Sequence, residues 1–166
     1  RDYVLKLDTS RGAPALNVFG GKITTYRRLA ESALEDIAKV LPVSAKPWTA
    51  GVALPGGDFD VDGVDALVTR AKSDYPFLPD RTALRLVRAY GTEVADVLGT
   101  ATSETDLGKC FGAGLFASEV LWLMKHEYAR SAADVVWRRS KLGLRMSPAE
   151  IDTLDTWIKT RLAAQF

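Results

Sequence analysis

Cysteine is nearly absent from this 166-residue chain: Cys110 stands alone, so no internal disulfide framework exists and the composition suits a reducing cytoplasm. Histidine is just as scarce, and with His126 as its sole representative a zinc centre would lack its usual ligands. A formal net charge of +1 gives no case for a nucleic-acid partner. The apolar runs are too short to span a bilayer, and no secretory signal is visible. Two phosphate-cradling signatures are missing as well. No Gly-x-Gly-x-x-Gly follows a strand. A Walker A loop fails at both ends, because Leu16 stands where its first glycine belongs and Ile23 where its hydroxyl residue belongs.

What remains is globular in composition, 47% hydrophobic and 26% charged, and of a length for one domain or a domain plus an attached piece. Tyr3-Val4-Leu5-Lys6-Leu7 alternates like a strand and Leu16–Phe19 reads as a second. A lone hairpin is marginal in water. The first strand follows Arg1-Asp2 without an initiator methionine, so the expectation is a piece of a larger protein whose first portion belongs to a further sheet. Leu5 and Val18, if exposed, would invite edge pairing with a neighbouring chain.

The most informative stretch is Phe19-Gly20-Gly21-Lys22-Ile23-Thr24-Thr25-Tyr26-Arg27. It reads as a strand that turns through glycine into the N-terminus of an amphipathic helix, Thr24 to Leu41, stopped by Pro42. Free N–H groups and the positive end of the helix dipole collect at such a terminus. Glycine lets the backbone approach a ligand closely, and Lys22 adds a full positive charge. The spacing alone leaves two readings open, a ligand-facing turn or an ordinary strand-to-helix connection.

Residues 42–57 read as a linker anchored by Trp48, and the rest as helical. Val64, Leu67, Val68 and Ala71 mark a helix ended by Tyr75-Pro76. Asp80 is expected to cap the next, which runs to Gly91, and Glu93–Leu98 forms a short one. Leu115–Tyr128 follows, with Phe116, Val120, Leu121 and Met124 inward. Ser131 opens a segment reaching Arg139. Ser147, Pro148 and Glu150 form a capping box for the last helix, with a stripe of Ile151, Leu154, Ile158 and Leu162. The tryptophans, Trp122, Trp137 and Trp157, fall at helical spacing and read as core.

Four constellations offer chemistry, and each has a plainer structural reading. Asp58-Phe59-Asp60-Val61-Asp62-Gly63 matches the first half of a calcium loop, but Thr69 and Asp65 break the second half, so helix-capping acids are the better reading. His126-Glu127 opens like a zincin motif that Arg130 then breaks. Glu127, Arg130, Asp134 and Arg138 read as an ion-pair network at a helix junction, with a phosphate-binding arginine cluster as the minority reading. Cys110 beside Lys109 has no identifiable base and reads as a packed or semi-exposed thiol. No metal site is expected.

Taken together, the Phe19–Arg27 stretch, Arg1-Asp2-Tyr3, Trp48, Leu54-Pro55-Gly56-Gly57, Tyr75-Pro76-Phe77-Leu78, Tyr90-Gly91, Asp106-Leu107-Gly108, His126-Glu127 and Trp137-Arg138-Arg139-Ser140-Lys141 resemble the C-terminal part of bacterial FAD-dependent glycerol-3-phosphate dehydrogenase. The resemblance implies a mainly α fold: residues 1–41 as the tail end of an FAD-binding α/β domain, 42–57 as linker, and 58–166 as an all-α helical-bundle cap remote from the chemistry. It implies oxidation of sn-glycerol 3-phosphate to dihydroxyacetone phosphate, with electrons passing through FAD to quinone. Gly20, Gly21, Lys22, Thr24 and Thr25 would lie against the flavin, Lys22 would also be near the substrate, and Arg1 would help hold its phosphate, which makes Arg1 and Lys22 the implied catalytic residues. The parent enzyme would be cytoplasmic and peripheral on the inner membrane, with no nucleic-acid partner and with a homodimer as one arrangement. The chain by itself is expected to be inactive. The alternatives are a non-catalytic helical interaction, dimerisation or membrane-surface module, and part of a glycerophosphate oxidase.

Overall fold

In the computed structural model, which describes residues 3–42 and 46–164, the chain forms two compact units, Arg1–Val52 and Ala53–Phe166. The fold is mainly α, with six α-helices and one two-stranded sheet among the described residues.

In the first unit, β1 (Val4–Asp8) and β2 (Ala15–Phe19) form an antiparallel hairpin in which Leu5 faces Val18 and Leu7 faces Leu16. Leu5 is half-buried, whereas Val18 is exposed. A 3-10 turn, Ile23–Thr25, leads into α1 (Tyr26–Ile37). The Tyr3 hydroxyl and Ser32 Oγ lie 3.0 Å apart and tie hairpin to helix. The helix ends four residues before the expected Leu41, because tight-turn bonds such as Val40 N–H to Ile37 O (3.0 Å) take over ahead of Pro42. Trp48 is not the anchor of the segment that follows, being 66% exposed. Thr49 holds it instead: its hydroxyl donates to Glu31, which also pairs with Arg27 at 2.9 Å.

The second unit packs α2 (Val64–Asp74), α3 (Asp80–Tyr90), α4 (Val94–Leu98), α5 (Ala117–His126), a π-helix (Asp134–Arg139) and α6 (Pro148–Ala163) around one core. Leu115, Val120, Leu123, Val135, Val136, Leu154 and Ile158 are its fully enclosed side chains. Helix α6 starts as its sequence dictates: Ser147 Oγ accepts from Glu150 N–H, and Glu150 Oε2 accepts from Ser147 N–H at 2.7 Å. Three expectations change. Pro79, not Asp80, is the N-cap of α3, and Asp80 sits in the first turn. Leu121 faces solvent, since α5 turns Val120, Leu123 and Met124 inward and an adjacent residue cannot share that face. Trp137 is 40% exposed because it lies over Gly143 on the surface of the π-helix turn.

Gly56 and Gly91 bring two backbone segments into contact. Gly56 O accepts from Thr92 N–H at 3.0 Å, and a Cβ on Gly91 would meet that oxygen at 1.8 Å. Gly91 also sits at φ 53°, ψ −122°, a conformation closed to other residues. Gly91→Ala is expected to cost the helical unit more than about 3 kcal/mol by urea titration. Gly99→Ala is the control: it has a similar backbone (φ 61°) but open space around it, so it is expected to cost about 1–2 kcal/mol. Equal costs would show that the contact with Gly56 is unimportant.

Three carboxylates close turns by accepting backbone N–H bonds. Asp106 accepts from Thr102 and Ser103, Asp134 from Arg130 and Ser131, and Glu150 from Ser147. These bonds hold each carboxyl below its ordinary value. A depressed folded value means that the stabilisation is complete above the unfolded value, about pH 4, and is lost as pH falls through the folded ones. The melting temperature is therefore expected to hold from pH 7 to 5 and drop steadily below about pH 4. A flat melting temperature down to pH 3 would overturn this role.

Candidate functional site

The glycine turn is built by local constraints. Gly20 (φ 76°) and Gly21 (φ 110°) both adopt left-handed backbone, so the chain leaves β2 and reverses without any side chain over the turn. A Cβ on Gly21 would touch only Leu29 Cδ2 at 3.5 Å and Tyr3 Cβ at 3.9 Å, so conformation rather than space demands glycine there. Lys22 returns to extended geometry (φ −115°, ψ 148°) as N-cap of the 3-10 turn.

Among the described residues, no side chain caps the 3-10 turn or α1. The first N–H groups therefore remain open to an electron-rich partner. Gly20, Gly21, Lys22 and Thr24 are exposed and Thr25 is half-buried. The Thr25 hydroxyl donates to Lys22 O at 3.0 Å, which stiffens the turn and leaves the threonine oxygen as an acceptor. The surround is apolar and open, with Phe19, Ile23 and Tyr26 at 56%, 86% and 48% exposure. The structure thus brings together five of the six sequence-selected site residues. Arg1, the sixth, lies outside the described residues.

The other sequence candidates fall in the helical unit. Asp134 pairs with Arg138 at 2.9 Å, and Arg139 Nε reaches Glu127 at 3.5 Å. Arg130 joins this network through its backbone N–H rather than its guanidinium. His126 is exposed and stacks on Trp122, their centroids 5.0 Å apart. Cys110 is exposed and lies in an isolated bridge with Phe116.

One cluster escaped the sequence reading. Arg85 donates to both oxygens of Glu119 at 2.7 Å and to Gly114 O at 2.9 Å, and the Tyr90 hydroxyl donates to Glu119 Oε1 at 2.8 Å. Glu119 is 3% exposed. Burial, with Glu119 beside it, pushes the Tyr90 phenol far above its ordinary value, so it stays a donor. Burial pulls Arg85 down, but its hydrogen bonds and charge attraction to Glu119 outweigh this and raise it. The signal was present: Glu119 lies three residues after Phe116 and four before Leu123, on the buried stripe of α5. An acid on an apolar stripe demands a buried partner. With its carboxylate fully engaged by fixed partners, the cluster is structural.

Residues 47–160 match the family described as the C-terminal domain of alpha-glycerophosphate oxidase. The chain belongs to that family. It is 45% identical over 161 residues to glycerol-3-phosphate dehydrogenase of Pseudomonas aeruginosa, covering 96% of this chain and 31% of that protein. Against aerobic glycerol-3-phosphate dehydrogenase of Escherichia coli the identity is 38%, covering 95% and 32%. Against D-erythritol 1-phosphate dehydrogenase of Brucella abortus it is 36%, covering 95% and 31%. The chain thus spans about a third of the length of these relatives.

Proposed function

We propose that this chain is part of an FAD-dependent dehydrogenase that oxidises sn-glycerol 3-phosphate to dihydroxyacetone phosphate, and that its glycine-lysine turn forms one edge of the flavin site. The observation that carries the reading is the exposed left-handed Gly20-Gly21 pair delivering Lys22 to an uncapped helix start. Members of the family are flavin-dependent oxidases and dehydrogenases. The residues present fit a flat, electron-rich ring, since the turn carries no side chain over its glycines and the Phe19, Ile23 and Tyr26 surfaces are open beside it.

When bound, FAD supplies the hydride-accepting chemistry. The chain's own residues do the rest. Gly20 and Gly21 admit the ring to van der Waals distance of the backbone. The N–H groups at the start of the 3-10 turn and the Lys22 ammonium offset negative charge on the N1 and C2-carbonyl side of the ring. The Thr24 hydroxyl is exposed and free to donate, while Thr25 fixes the turn. Lys22, with Arg1, adds positive charge for the substrate phosphate. No residue of the helical unit is given a part in this chemistry.

In this reading, the enzyme works at the cytoplasmic face of the inner membrane and delivers electrons to quinone. The family description, which names an oxidase, favours oxygen as a second acceptor. The test is dye reduction by the polypeptide extended to the length of its relatives, with sn-glycerol 3-phosphate and D-erythritol 1-phosphate compared and hydrogen peroxide measured in air. Dye reduction that needs glycerol 3-phosphate supports the proposal. Preference for the tetritol phosphate would move the substrate, and stoichiometric peroxide would move the acceptor. Absence of flavin absorbance would overturn the proposal.

A further inference from the structure

Helix α6 buries one stripe and leaves a second, chemically mixed face beside it. The residues of that face fall in two neighbouring rows at i, i+4 spacing: Asp152, Thr156 and Thr160 in one, Thr153, Trp157 and Arg161 in the other. Lys109 joins them from the segment after the 3-10 helix Glu104–Leu107, where its carbonyl accepts from Ala117 N–H at 2.9 Å. Together they line an open groove of about 630 Å3, of a size that takes a small organic molecule.

The two cations of this groove are ordered without being neutralised. Lys109 Nζ lies 5.5 Å from the Phe111 ring centroid, Arg161 Cζ lies 4.9 Å from that of Trp157, and the two rings meet edge-on at 5.2 Å. Among the described residues, neither cation has a carboxylate within ion-pair distance. Lys159, on the same helix, shows the ordinary alternative, since it pairs with Asp155 at 2.7 Å. A ring face fixes a long side chain while leaving its charge and its N–H donors free. An anion arriving in the groove therefore meets two cations that are already ordered.

The groove also holds acceptors that a bare anion cannot use. The Thr153 and Thr160 hydroxyls donate to Ala149 O at 2.8 Å and to Thr156 O at 2.9 Å, so each presents only oxygen lone pairs to a ligand. Asp152 is exposed and, among the described residues, makes no ion pair. Its carboxylate accepts hydrogen bonds and cannot donate them. A phosphate alone is drawn to Lys109 and Arg161 and repelled by Asp152. A phosphate that carries hydroxyl groups satisfies both sides, its dianion on the cations and its hydroxyls donating to Asp152 and the threonines.

We propose that this groove is a non-catalytic binding site, and that it takes a small polyol phosphomonoester. Lys109 and Arg161 hold the phosphate, and Asp152 selects for hydroxyl groups beside it. Every residue of the site belongs to the helical unit and none to the glycine turn, so it stands or falls separately from the flavin assignment. Its exposed charges predict a Kd on the order of 1 mM at low ionic strength, so occupancy follows the concentration of a metabolite rather than being permanent.

Heteronuclear NMR of the full chain titrated with sn-glycerol 3-phosphate tests this. Saturable shifts are expected at the Trp157 indole N–H, the Arg161 Nε–H and the amides of Thr153, Thr156 and Thr160. Glycerol is expected to have no effect, and inorganic phosphate to bind at least about fivefold more weakly. Lys109→Ala and Arg161→Ala are each expected to weaken binding by about fivefold or more. Asp152→Ala reads the selectivity: it is expected to weaken binding of glycerol 3-phosphate and to strengthen that of inorganic phosphate. All three side chains are exposed, so the spectral dispersion of a folded chain is expected to persist, and Lys109→Gln or Arg161→Gln replaces any variant that loses it. Absence of saturable shifts overturns the proposal. So does equal affinity for inorganic phosphate that Asp152→Ala leaves unmoved, which would make the groove a general anion patch. Shifts confined to Gly20, Gly21 and Lys22 also overturn it. Co-sedimentation with phosphatidylglycerol vesicles that depends on Lys109 and Arg161, without binding of the free ester, would overturn it in favour of a lipid headgroup.

Discussion

Glu119→Ala is expected to destabilise the helical unit by about 3–5 kcal/mol, because it leaves the Arg85 guanidinium buried without its counter-charge. Arg85 would keep only Gly114 O as an acceptor, and its Nε already has no partner. The Tyr90 hydroxyl would lose its acceptor as well. Since a domain of this size is stable by about 5–15 kcal/mol, the loss is expected to move the urea midpoint of the far-ultraviolet circular dichroism transition severely, or to leave the unit partly unfolded at 37 °C.

The pair itself need not be a net source of stability. Taking two charges out of water costs several kcal/mol per ion, and mutual attraction repays that only with good geometry. Arg85→Met with Glu119→Met is therefore expected to recover most of what Glu119→Ala loses, while Arg85→Met alone is expected to be as damaging as Glu119→Ala. A Glu119→Ala cost below about 1 kcal/mol would place the pair with screened surface bridges. A double variant as weak as the singles would show that the bidentate geometry is a true stabiliser.

How far sequence reaches is visible in contrasts between particular residues. Helix α6 was legible to the residue, since Ser147, Pro148 and Glu150 satisfy its first N–H groups locally, whatever the rest of the chain does. The two strands followed from the alternation of Tyr3–Leu7 and the apolar run Leu16–Phe19, but their register, Leu5 opposite Val18 and Leu7 opposite Leu16, comes from the structure alone. The glycine turn was legible because only glycine takes the backbone that Gly20 and Gly21 adopt. The π-helix was not, since a single wide turn leaves the spacing of Val135 and Val136 looking α-helical. Nor was the Gly56–Gly91 contact, which joins positions 35 residues apart through backbone alone. Arg85 and Glu119 were missed for a related reason. Their pairing is a fact of packing between α3 and α5, and only the position of Glu119 on an apolar stripe announces it. Local satisfaction is readable from spacing. Long-range satisfaction leaves an anomaly rather than a motif.

Lys22→Ala, in the polypeptide extended to the length of its relatives, is expected to lower glycerol-3-phosphate-dependent dye reduction by about 10²–10³-fold, the usual cost of removing one preorganised group facing developing charge. The change should fall mainly on turnover if Lys22 serves the flavin, because that charge appears only as the ring is reduced. It should fall mainly on KM if Lys22 serves the substrate phosphate, which is charged before and after reaction. Lys22→Arg, which keeps the charge, is expected to retain much of the activity lost in Lys22→Ala. The turn's own structure predicts that the fold survives either change, since Lys22 is exposed and its backbone, not its side chain, accepts from Thr25. Gly21→Ala separates the two contributions of the turn. It adds little bulk near Leu29 and Tyr3 but strains a backbone at φ 110°, so it is expected to disturb flavin absorbance without removing charge. Should Lys22→Ala leave both turnover and KM unchanged, the turn would be only a connection between strand and helix. The flavin-site assignment would then fail even for a chain that belongs to the family.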